Sequence, residues 1–87
     1  MSPPYAFVVR LEAKPERAAA VAELLGGALP LAEAEPGTAA WYAARISDST
    51  FWIFDTFAST EDRQAHVEGP IAAALAERAD DLLASPP

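Results

Sequence analysis

"TFWIFDTFASTEDRQAHVEG", residues 50–69, decides the fold. Its first eight residues are dense in aromatic and β-branched side chains and read as a strand. Ser59 then offers a helix N-cap, and Glu61 and Asp62 place negative charge in the first turn, where the helix dipole favours it. Asp62 also stands three residues after Ser59, the spacing of a capping box. This helix carries the one histidine of the chain, His66, and Gly69-Pro70 ends it.

Upstream, "TAAWYAARI" (38–46) reads as a second strand, separated from the first by Ser47, Asp48 and Ser49. A hairpin with Asp48-Ser49 as a two-residue turn is expected. That turn pairs Arg45 with Trp52, Tyr42 with Asp55, Trp41 with Thr56 and Ala40 with Phe57. Alternation then puts Trp41, Ala43, Arg45, Trp52, Phe54 and Thr56 on one face, with Arg45 stacked on Trp52. Tyr42, Ala40, Ala44, Ile46, Phe51, Ile53, Asp55 and Phe57 share the other. Both faces are apolar, so helices should cover one and a second subunit the other. Exchanging the face that meets the helices would exchange the roles assigned below.

Further upstream, "YAFVVRLEA" (5–13) reads as a strand with Tyr5, Phe7, Val9 and Leu11 on one face. Pro15 suits the first turn of a helix, in which Val21, Leu24, Leu25, Ala28 and Ala32 recur at helical spacing. Gly26-Gly27 weakens its middle, Pro30 is expected to kink or interrupt it, and Pro36-Gly37 closes it with a turn. After Gly69-Pro70 a last helix sets Ile71, Leu75, Ala79 and Leu82 on one face. Strand, helix, strand, strand, helix is the α+β, ferredoxin-like split βαβ order, an antiparallel sheet with helices on one face and its fourth strand missing. The free outer edge of the first strand is expected to find a partner, unless the chain is a shortened product.

With 87 residues, 52% of them hydrophobic, residues 1–87 make one domain, small enough that oligomerisation would add stability. The chain has no cysteine, hence neither disulfides nor thiolate metal sites. A net charge of −7, with the basic residues scattered singly, argues against nucleic acid and anionic membranes as partners. The N-terminus lacks the pattern of a signal peptide and no apolar run approaches a membrane span, so a cytoplasmic protein is expected.

Glu35-Pro36-Gly37, Asp55-Thr56-Phe57 and His66, in this order and spacing, resemble the antibiotic biosynthesis monooxygenase family of dimeric α+β barrels over about residues 5–83. The resemblance implies a homodimer paired sheet to sheet. It also implies oxidation of a small phenolic or quinol compound by O₂ without metal, flavin or haem. Haem-degrading relatives place Trp where this chain has Phe57, and an Asn on the first strand where this chain offers none.

Oxygenation without a cofactor needs a base, an apolar pocket for a flat ring, and polar groups that hold the substrate anion. Histidine titrates in the right range, so His66 is the candidate base. Its structural reading is a partly exposed residue paired to Asp62 one turn earlier. Asp55 would lie on a covered face, where carboxylates are rare unless paired. Either it bonds Tyr42, its expected neighbour, and fixes the sheet, or it is a pocket carboxylate with a raised pKa. His66, Asp55 and Tyr42 are the expected catalytic residues around the pocket, Ala40, Ala44, Phe51 and Phe57 are expected to line it, and Trp41, Trp52 and Phe54 are expected at the dimer interface. A lone histidine with scattered carboxylates shows no metal-ligand spacing, so no metal and no cofactor are expected. The alternatives are a non-catalytic dimeric module that binds a small ligand or stabilises an assembly, and haem binding or degradation.

Overall fold

A computed structural model describes residues 5–86; residues 1–4, which carry part of the N-terminal reading above, and residue 87 lie outside the described residues. Three strands, β1 (Tyr5–Glu12), β2 (Thr38–Arg45) and β3 (Thr50–Phe57), form an antiparallel sheet in the order β1-β3-β2. Three helices, α1 (Ala18–Ala34), α2 (Thr60–Val67) and α3 (Pro70–Leu82), pack on one face of it. The fold is α+β and ferredoxin-like. No helix among the described residues is long and apolar enough to cross a membrane.

The helical stripe of α1 buries Ala18, Val21, Leu25, Ala28 and Ala32. Pro30 does not interrupt α1, which runs on to Ala34. Its ring removes one backbone donor, yet Ala28 and Ala32 on either side stay in the core, so burial outweighs the lost bond. The sheet opposes this stripe with Leu11, Phe51 and Ile53, and α3 closes the layer with Ile71 and Leu82.

The hairpin departs from its expected register by one residue. Trp41 stands opposite Asp55, Tyr42 opposite Phe54 and Ala44 opposite Trp52. The two-residue turns that suit hairpins need residues at positive φ, and neither Asp48 nor Ser49 is glycine or asparagine. No described residue has positive φ. The chain instead uses the three residues Ser47, Asp48 and Ser49, and Ile46 N–H donates to Thr50 O at 2.8 Å. Arg45 closes the loop by donating to the carbonyls of Ser47 and Asp48. Its guanidinium lies 5.3 Å from the ring of Phe51, not on Trp52 as expected.

Because side chains alternate along a strand, this slip moves every β2 residue to the opposite face relative to β3. Trp41 turns inward and is buried beside Asp55. Tyr42 turns outward and is 66% exposed, so it is not the neighbour of Asp55 and leaves the expected catalytic set. Ala40 and Ala44 go with it, opposite Thr56 and Trp52, and leave the set expected to line the pocket. Trp41 in turn leaves the set expected at the interface. Phe51 and Phe57 are buried on the helix side, while Trp52 and Phe54 stay on the open face.

Along the outer edge of β1, Ala13 forms an antiparallel bridge with Leu83, and Ala84 N–H donates to Glu12 O at 2.7 Å. The segment after α3 therefore enters the position of a fourth strand beside the end of β1. Among the described residues no further strand covers that edge.

Two substitutions rank the forces in this layer. Leu11→Ala, in a fully buried position, is expected to cost about 2–5 kcal/mol in urea unfolding, and Ser59→Ala about 1 kcal/mol for the lost cap. An equal loss for the two would contradict a core centred on Leu11.

Candidate functional site

Each member of the site is delivered by a different junction of the fold. Ser59 Oγ accepts from Asp62 N–H at 3.1 Å and starts α2, so that His66 in its last turn points at the sheet. Glu35 caps the C-terminus of α1, and Pro36-Gly37 turns the chain into β2. Gly37 permits the approach of this turn to α2: a Cβ there would come within 2.7–2.9 Å of the Asp62 side chain. Asp55 projects inward from β3, the central strand.

These junctions meet at His66, which is 8% exposed. Its Nδ1 lies 2.7 Å from Glu35 Oε1 and its Nε2 lies 3.1 Å from Asp55 Oδ2. His66 is thus neither partly exposed nor paired to Asp62. Thr38 Oγ1 donates to the same Glu35 oxygen at 2.7 Å. The ring packs against Phe57, centroid to centroid 5.2 Å.

Carboxylates only accept, whereas a neutral imidazole has one N–H. Two carboxylates on one ring therefore require a second proton. Either His66 is an imidazolium between two anions, or it is neutral and Asp55 carries the proton. These states contain the same number of protons and differ only in where one sits on the Nε2–Oδ2 line. In both, Asp55 Oδ1 is left as an acceptor. It is buried and makes no hydrogen bond of good geometry.

Burial raises the Asp55 pKa above the ordinary carboxylate value. The charge of His66 and the nearby backbone N–H groups of Phe7 and Asp55 pull it down, and Glu35 pushes it further up. Desolvation is the largest of these effects, so the raised direction prevails. The sign for stability follows: the folded chain holds this proton more tightly than the unfolded chain. The contribution is complete below the unfolded value near 3.8 and is lost as pH rises through the folded value.

Asp55 and His66 line a cavity of about 150 Å³ between the sheet and the α2–α3 pair. Its other walls are apolar, including Phe7, Val9, Ile53 and Ile71, with exposed Val67 at its rim. A groove of about 480 Å³ between α1 and β2 is larger but holds neither Asp55 nor His66. The chemistry points to the smaller one. Among the described residues no group of three or more His, Cys, Asp or Glu side chains is arranged to hold a metal ion.

Sequence reasoning brought Asp55 and His66 forward, and the fold joins them. It missed Glu35 and Trp41 as site residues. Glu35 was visible within the Glu35-Pro36-Gly37 turn, but as a mark of fold rather than as a partner of His66. Trp41 was assigned to the wrong face by the register.

The model of the antibiotic biosynthesis monooxygenase family matches residues 4–78. A protein of unknown function from Nitrosomonas europaea is 57% identical, with a TM-score of 0.91 over 93% of this chain and 79% of that one. A protein from Pseudomonas aeruginosa is 18% identical, with a TM-score of 0.84 over 98% of this chain and 88% of that one. One from Mycobacterium tuberculosis is 21% identical, with a TM-score of 0.85 over 97% and 87%. These last two likenesses concern the fold alone. No curated protein matches the chain. The chain belongs to the antibiotic biosynthesis monooxygenase family.

His66→Ala leaves two carboxylates without their common partner. It is expected to cost about 3 kcal/mol at pH 7, the low end for a buried pair because Glu35 is only partly buried. The loss should shrink at pH 4, where Asp55 takes up a proton; unfolding by denaturant at the two pH values measures it. In the wild type, the carboxyl carbon of Asp55 should titrate above 3.8 by NMR, and a midpoint at or below that value would contradict its burial as described.

Proposed function

We propose that this member of the antibiotic biosynthesis monooxygenase family oxidises a small aromatic hydroxy compound with O₂ and without a cofactor, in the cytoplasm and as a homodimer. The observation that supports the reading best is the contact of His66 with Asp55 and Glu35, with Asp55 and His66 buried in the wall of an apolar cavity.

Asp55 takes the substrate hydroxyl proton on Oδ1. The positive charge on His66 compensates the carboxylate until the proton arrives, and Glu35 holds the imidazole by Nδ1. Glu35 is thus a positioning residue. Deprotonation leaves an electron-rich aromatic anion that passes one electron to O₂, and the ring radical and superoxide combine. For a hydroquinone the balance is one O₂ consumed, one oxygen inserted as a hydroxyl on the resulting quinone, and the other released in water. Dry apolar walls limit loss of the radical pair to solvent.

Val8, Tyr42, Trp52 and Phe54 are exposed on the sheet face that carries no helix. Such a contiguous apolar face fits burial against a second copy, and Tyr42 joins Trp52 and Phe54 as its anchors. Trp41 has no part in this interface.

Oxygen uptake with a panel of one-ring hydroquinones tests the chemistry. Asp55→Asn should lower turnover by about 10²–10⁴-fold, the usual worth of a general base, with Glu35→Gln less severe. Absence of uptake with every compound, or unchanged uptake in Asp55→Asn, would favour a ligand-binding or structural module in which the array only braces the fold. For the assembly, Trp52→Glu combined with Phe54→Glu should convert a dimer to a monomer in light-scattering chromatography. A wild type that elutes as a monomer would remove the interface.

A further inference from the structure

Two polar atoms of the cavity residues have no role in the array around His66. Asp55 Oδ1 is a buried acceptor without a partner, and Trp41 Nε1–H is a buried donor without one. Trp41 is 9% exposed and Asp55 1%, so water does not satisfy either. The two residues are direct cross-strand neighbours on the inward face, and both line the same cavity of about 150 Å³. Directly opposed residues bring their side chains within about 5 Å of each other at Cβ. An unsatisfied buried donor beside an unsatisfied buried acceptor is costly in the empty protein, and a ligand that answers both recovers that cost.

We infer that Trp41 and Asp55 together read a hydroxyl group on a one-ring aromatic ligand, with Trp41 the specificity-determining residue. A hydroxyl is the smallest group that donates to Oδ1 and accepts from Nε1–H through one oxygen. An ether can only accept, and a hydrocarbon does neither. The array around His66 keeps its shared proton on the Nε2–Oδ2 side, so Oδ1 stays an acceptor whichever partner holds that proton. The cavity volume sets the body of the ligand. About 150 Å³ of apolar space holds a single benzene-sized ring, and three fused rings exceed it. Neither polar atom is open to solvent, so the hydroxyl reaches them as the wall side chains adjust, into a dry contact. This rests on the oxygenation reading for the class of compound and adds Trp41 and the one-ring size as what selects it; it concerns binding and stands or falls on binding.

The test uses the full chain and three probes of one size: phenol, anisole and toluene. The protein has two tryptophans, so ¹H–¹⁵N spectra carry two indole signals, assigned with Trp41→Phe. Phenol should move the Trp41 indole signal downfield and bind about tenfold or more tighter than anisole or toluene, as expected for one gained hydrogen bond. Trp41→Phe keeps the ring and removes the donor, so it should weaken phenol about tenfold and leave toluene nearly unchanged. Equal binding of phenol and toluene, phenol binding unchanged in Trp41→Phe, or no saturable binding of phenol would each overturn the inference. Should Trp41→Phe fail to fold, the comparison of the three probes on the wild type decides. Selective phenol binding without oxygen uptake would retain this site and reject the oxygenase reading; oxygen uptake without hydroxyl selectivity would do the reverse.

Discussion

His66 is held on both ring nitrogens by carboxylates from distant parts of the chain, and the site depends on that double contact. Three acidic or basic groups brought together out of water would ordinarily repel or seek protons. Here the geometry lets them share: one imidazole satisfies Glu35 and Asp55 at once. The arrangement joins the turn after α1, the central strand and α2. A change at any one of these elements therefore disturbs the contacts of the other two.

The same contact explains why apparently local features matter. Gly37 lets the Pro36-Gly37 turn lie against the Asp62 side chain, and Gly69 leaves room for Glu35, whose Oε2 would stand 3.3 Å from a Cβ at that position. Ser59 fixes where α2 begins, and hence which way His66 faces. Thr38 donates to the Glu35 oxygen that also meets His66. None of these residues touches the cavity chemistry. They set the angle and depth of the residues that do.

The length of the hairpin loop has the widest consequence outside the array. A three-residue loop in place of a two-residue turn exchanges Tyr42 for Trp41 beside Asp55. The inward neighbour of the carboxylate thereby becomes an indole N–H that only donates instead of a phenol that donates and accepts. It also hands Tyr42 to the open face, where with Trp52 and Phe54 it builds an apolar surface on the side away from the helices. One residue of loop thus divides the aromatic side chains between the cavity and the open face.

The sequence by itself determined the elements and their order. Strand alternation in Thr50–Phe57, the Ser59 cap, the helical stripe from Val21 to Ala32 and the Gly69-Pro70 break are local patterns, and local patterns survive without knowledge of partners. They also made Asp55 and His66 conspicuous, one as a carboxylate in an apolar strand and the other as the single histidine. Only the tertiary structure decided the register: Asp48 and Ser49 disfavour the positive φ of a two-residue turn without naming what replaces it, and Arg45 closes the longer loop from outside. The union of Glu35 with His66 across 31 positions is likewise a tertiary fact. No periodicity connects a helix C-cap to a later helix; what joins them is that buried Asp55 and partly buried Glu35 meet the same imidazole.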